Sequence, residues 1–77
     1  MRLSPRIVII DDERSVRSGL SNLLQSEGYD SDAFDSAEAF LHHESALSDA
    51  SLLIIDIMLK GMSGLDLYRR VAQLAAP

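Results

Sequence analysis

Two four-residue aliphatic runs, Ile7-Val8-Ile9-Ile10 and Leu52-Leu53-Ile54-Ile55, are each stopped by an aspartate, Asp11 and Asp56. A strand with one wet face would alternate, so unbroken runs of this length read as strands of a parallel sheet covered on both sides. Between them the spacing turns helical. After Asp11-Asp12-Glu13, residues Val16, Leu20, Leu23 and Leu24 fall at i, i+4, i+7 and i+8, and Gly28 supplies a stop. Tyr29 to Phe34 is too polar for a central strand but suits an edge, where charge discourages stray pairing. Asp35 with Glu38 resembles a capping box for a short helix carrying Ala37, Phe40 and Leu41, and Ser45 to Ser51 reads as a polar connection.

Ile57 to Gly64 contains two glycines and reads as a loop. A third helix is expected from about Leu65, with Leu65, Tyr68, Ala72 and Ala75 on one stripe and Leu67, Val71 and Leu74 beside it. Asp66 and Arg70 form an i, i+4 pair, and Pro77 closes the chain. The order βαβαβα is that of an α/β unit with right-handed crossovers. A chain of 77 residues hides roughly 60% of its unfolded surface, enough for one core and therefore one domain.

Twelve acids against seven bases leave a net charge of -5, which argues against nucleic acid or an anionic membrane as the main partner. The absence of cysteine excludes disulfides, thiolate metal sites and a cysteine nucleophile. The N-terminal residues lack the apolar stretch of a signal peptide, and the longest apolar runs are far too short to span a bilayer. The expectation is a chain neither exported by such a signal nor embedded in a membrane.

Open parallel sheets place ligands beyond the carboxyl ends of their strands. If the two aliphatic strands are neighbours, about 4.8 Å apart, then Asp11, Asp12 and Asp56 converge. Two unit charges about 4 Å apart repel by about 4 kcal/mol at an effective dielectric of 20, so the cluster calls for a cation or a shared proton. Mg2+ fits best, because it accepts one or two carboxylates and keeps waters that a phosphate can displace. Either segment alone is equally well read as solvated acid beside a helix N-terminus. The coincidence of two in one frame favours the site.

Ile7 to Glu13 and Leu53 to Leu59, with Gly64 eight residues after Asp56, resemble the receiver domain of two-component response regulators. Phe34 to Leu41 and Gly61 to Leu65 are similar to the subgroup whose receivers precede a LuxR-type DNA-binding domain. The resemblance implies a flavodoxin-like (CheY-like) fold with full strand order 2-1-3-4-5. It further implies that Asp56 accepts a phosphoryl group from a phosphohistidine of a sensor histidine kinase. By the same implication Asp12 and Asp56 ligate Mg2+ directly, the backbone carbonyl of Met58 adds a third ligand, and Asp11 acts mostly through water. Such a domain is a cytoplasmic signalling module rather than an enzyme, relaying its state to a C-terminal output domain.

Some features depart from the pattern. Family members usually carry proline four residues after the phosphoacceptor, where this chain has Lys60, read as a solvated loop cation. The Ser or Thr after strand four and the Lys after strand five have no counterpart, Lys60 being the sole lysine. Residues 1–77 are therefore expected to be a truncated receiver with sheet order 2-1-3, lacking strands 4 and 5. Strand three then becomes an apolar edge prone to self-association. His42-His43 reads as exposed rather than as a metal pair, since helix neighbours point about 100° apart. Met58 and Met62 are expected to cover the core. Two alternatives stand beside the receiver reading. One is an interaction module that has lost phosphorylation. The other is a haloacid-dehalogenase-like phosphatase, disfavoured because Asp56-Ile57-Met58 lacks the Asp-x-Asp of that family.

Overall fold

The structure, a computed structural model, describes residues 5–43 and 50–75, with side chains described to residue 74. Three parallel strands, β1 (Arg6–Ile10), β2 (Asp30–Phe34) and β3 (Leu52–Ile55), stand in the order β2-β1-β3. Helices α1 (Arg14–Ser26), α2 (Ala37–Leu41) and α3 (Gly64–Ala75) follow them in turn. The expected βαβαβα order and sheet order 2-1-3 are what is found. The expected connection over residues 45–49, the side chain of Ala75, and Pro77 lie outside the described residues.

Among the described residues only β1 is flanked by a strand on each side, and Ile7, Val8, Ile9 and Ile10 are all buried, as an unbroken aliphatic run requires. Alternation sends Val8 and Ile10 to one face, where they meet Ala37 and Phe40 of α2, Leu59 of the loop and Leu67 of α3. Phe34 packs on the same cluster, its ring 5.5 Å edge-to-face from Phe40, a geometry worth about 1 kcal/mol beyond burial. Helix α1 packs against β1 and β2. None of its residues is fully buried.

Local chemistry accounts for the boundaries. Helix α1 ends in a Schellman turn, with Gly28 N–H donating to Gln25 O at 3.0 Å and Tyr29 N–H to Leu24 O at 2.9 Å. Gly28 adopts the φ of +88° this turn demands. The cap of α2 differs from expectation. Ser36, not Asp35, is the N-cap, its Oγ accepting from Ala39 N–H at 3.0 Å, a bond of about 1 kcal/mol. Glu38 then stands too early to close a capping box and accepts instead from Met62 N–H at 3.3 Å.

The amphipathic stripes also need correction. On α3 it is Leu67 and Val71 that face the core, while Leu65, Tyr68 and Leu74 are exposed. On α1, Leu23 is 59% exposed and Val16 37%. Both helices carry more apolar surface than three strands can cover. Asp66 pairs with Arg69 at 3.5 Å rather than with Arg70. Met62 packs on the core as expected, but Met58 projects from the loop, 81% exposed. Strand β3 is an edge whose Leu52 is exposed and whose other residues are half-buried, so its unbroken run is not doubly covered as β1 is. At the opposite edge Arg6 donates from Nε to Asp32 Oδ2 at 2.8 Å, a charge pair that blunts β2.

Candidate functional site

The strands end level. Ile10 stands opposite both Phe34 and Ile55 in the ladder, so the next residues, Asp11 and Asp56, leave the sheet side by side. Asp11 N–H donates to Phe34 O at 3.1 Å and Asp56 N–H to Ile10 O at 2.9 Å, completing the last rung. Ligand oxygens of Asp11, Asp12 and Asp56 all lie within 4.8 Å of one another, and all three residues are half-buried. The three acids picked out in the sequence are thus brought together.

Each of two carboxylates is steadied by a local turn. Asp56 Oδ1 accepts from Met58 N–H at 3.0 Å, and Asp11 Oδ1 accepts from Glu13 N–H at 2.9 Å. The donor set is all hard oxygen, partly dehydrated and strongly anionic, which suits Mg2+ and suits a soft transition metal poorly. Lys60 is exposed, and so are His42 and His43. The His43 ring lies 5.2 Å from Phe34, an ordinary packing contact.

Three features at the site were not read from sequence. Arg17 donates from Nη1 to the backbone carbonyl of Asp11 at 2.8 Å. Glu38 holds the loop after β3 through Met62. Gly64, the first residue of α3, lies directly against the backbone of Asp56. A Cβ there would collide with the Asp56 carbonyl oxygen and stand 2.8 Å from its carbon. Gly64 was legible as part of a motif, but its spacing alone does not reveal which backbone it touches.

The sequence matches the family described as response regulator receiver domain over residues 7–77. The chain belongs to that family. TmoT, a response regulator protein of Ectopseudomonas mendocina, is 41% identical over 68 residues, covering 88% of this chain and 30% of its own length. The chain thus spans about 30% of the curated relatives it matches. Among solved structures, the response regulator TrrA of Thermotoga maritima in complex with Mg2+-BeF superposes with a TM-score of 0.83 at 32% identity, over 92% of this chain and 61% of that one. TrrA in complex with the histidine kinase ThkA gives 0.78 at 34% identity, over 90% and 59%. These likenesses agree with the receiver fold in its incomplete form, three parallel strands with three helices. Among the described residues no helix is long and apolar enough to cross a membrane.

Proposed function

We propose that this chain is the N-terminal part of a phosphoacceptor receiver, with Asp56 as the residue that takes the phosphoryl group. The observation that carries the reading is the convergence of Asp11, Asp12 and Asp56 at the level ends of β1 and β3. An Asp56 carboxylate oxygen attacks phosphorus of a phosphohistidine on a sensor histidine kinase, forming an acyl phosphate as the P–N bond breaks and the imidazole leaves. Asp12, Asp56 and the backbone carbonyl of Met58 are the groups that would hold Mg2+, with Asp11 beside them in the same cluster. When bound, the ion neutralises charge on the carboxylates and the transferring group. The Met58 N–H bond to Asp56 Oδ1 keeps the nucleophile aimed out of the sheet end.

The kinase partner is supported by the TrrA–ThkA complex, and Mg2+ by the Mg2+-BeF complex of TrrA. A cytoplasmic location and a C-terminal DNA-binding output domain follow from the same family reading, the latter through the subgroup similarity of Phe34 to Leu41. Charge of -5 leaves nucleic acid contact to that output domain. Incubating the chain with Mg2+ and acetyl phosphate should add one phosphoryl group by mass, labile to hydroxylamine and abolished by EDTA. Continuous phosphate release would favour the phosphatase alternative. Absence of any Mg2+-dependent adduct or binding would leave the interaction module.

We further propose that the 77-residue chain self-associates through β3. Leu53 and Ile55, with Ile57, Leu65 and Tyr68, line an open apolar groove of about 400 Å3 beside β3, which among the described residues pairs with β1 alone. A second copy offers both a strand and a matching apolar face. Sedimentation at tens of micromolar should report dimers or larger species. A cooperatively folded monomer under those conditions removes the idea.

A further inference from the structure

Consecutive side chains of an extended strand point to opposite faces. Had β1 simply continued, Asp11 and Asp12 could not both approach Asp56. The strand instead ends at Ile10, and both carboxylates reach within 4.8 Å of the third. Three hydrogen bonds fix the backbone where it departs. Asp11 N–H is held by Phe34 O at 3.1 Å, Asp11 Oδ1 holds Glu13 N–H at 2.9 Å, and the Asp11 carbonyl receives Arg17 Nη1 at 2.8 Å. The first joins two neutral groups, whereas the second accepts at a carboxylate and the third is donated by a cation, both of a class roughly twice as strong. Of these three only the third comes from a side chain outside the Asp11–Glu13 turn, and its donor is half-buried and seated in the first turn of α1, where Arg17 N–H donates to Glu13 O at 3.1 Å.

We infer that Arg17 is a positioning residue for the acid cluster, setting the Asp11–Asp12 peptide so that two successive carboxylates serve one divalent ion. The inference rests on the metal-binding reading above. Its sign distinguishes it from a mere charge effect. A guanidinium beside the cluster repels a divalent cation, so its removal would tighten binding if electrostatics alone counted. If the bond to Asp11 organises the site, removal loosens binding despite the lost repulsion.

The test is a Mg2+ titration of the full chain followed by amide chemical shifts, comparing Arg17→Met, Arg17→Lys and Arg14→Met with the parent. Arg14 is exposed one turn earlier on α1 and provides the charge control. Arg17→Met should weaken Mg2+ about tenfold, the order seen when groups that orient metal ligands are lost. Arg17→Lys should recover part of that loss, and Arg14→Met should bind as the parent or slightly tighter. Equal or tighter binding by a folded Arg17→Met overturns the inference. Should that variant not fold, Arg17→Lys decides: weakened binding with charge retained supports positioning, and parental affinity overturns it. If the parent itself takes no Mg2+, it is the metal reading that fails. Positioning is then read from exchange of the Asp11 amide, which should speed in folded Arg17→Met or Arg17→Lys and whose unchanged rate overturns it.

Discussion

Asp56→Asn is expected to eliminate the phosphoryl adduct from acetyl phosphate completely while making the metal-free chain slightly more stable. The amide is close to isosteric, and its oxygen can still accept the Met58 N–H bond that Asp56 Oδ1 receives at 3.0 Å, so the turn survives. What is lost is the anionic nucleophile and one of the metal contacts proposed above. What is gained is relief of repulsion, since three carboxylates whose oxygens lie within 4.8 Å oppose one another whenever no cation is present. The residues are only half-buried, so solvent screening limits the relief to about 1 kcal/mol at most. The opposition of the two effects is informative, because sites built for chemistry commonly sacrifice stability. Intact-mass measurement and a urea midpoint in EDTA check both halves. A residual adduct on the Asp56→Asn chain would place the acceptor elsewhere, and a lowered midpoint would mean that Asp56 is structural.

Gly64→Ala should be the more damaging change to the fold although it adds one methyl group. The new Cβ would overlap the Asp56 carbonyl oxygen and crowd Ile55 Cγ2 at 3.0 Å. Neither neighbour can yield cheaply. The carbonyl belongs to backbone whose amide is fixed to Ile10 O at 2.9 Å, and Ile55 packs against the core. Helix α3 must therefore move off β3, carrying Leu67 with it, or Asp56 must turn. Overpacking against rigid surroundings costs about 3 kcal/mol, a large share of the ~4–12 kcal/mol expected for a chain of this size. Urea unfolding should show a correspondingly lower midpoint, and Mg2+ binding should weaken even where the chain remains folded. An unchanged midpoint would mean that α3 does not rest on Asp56 as described.

The parts of this molecule that sequence reveals are those fixed by chain-local pattern. An unbroken aliphatic run followed by an acid announces both a strand and where its polar end lies, which is why β1, β3 and the Asp11, Asp12 and Asp56 cluster were all legible. Periodicity was less informative about which apolar residues are covered. Leu65 and Tyr68 share a helical stripe as convincing as that of Leu67 and Val71, and only the placement of α3 over Val8 and Ile10 decides between them. Met58 invites a place in the core for the same reason, its hydrophobicity being visible in the sequence and its outward direction not. At the α2 cap, Asp35 and Ser36 are both good N-caps, and one residue of phase separated the right choice from the wrong one. Arg17 left no sequence signal of its role, because its partner is a backbone carbonyl and carries no side-chain identity.

The level finish of the three strands ties the fate of the acid cluster to that of the sheet. Asp56 hangs from Ile10 and Asp11 from Phe34 by the terminal rung of the ladder, and among the described residues β3 pairs with β1 alone. Any opening that frays β3 from its carboxyl end takes Asp56 away from Asp11 and Asp12 before a core side chain is exposed. An ion held by all three acids, as proposed above, would act as a clasp across that seam, favouring the closed ladder by mass action. Divalent ion concentration would then set how long β3 stays zipped to β1, so the site records the integrity of the sheet that built it.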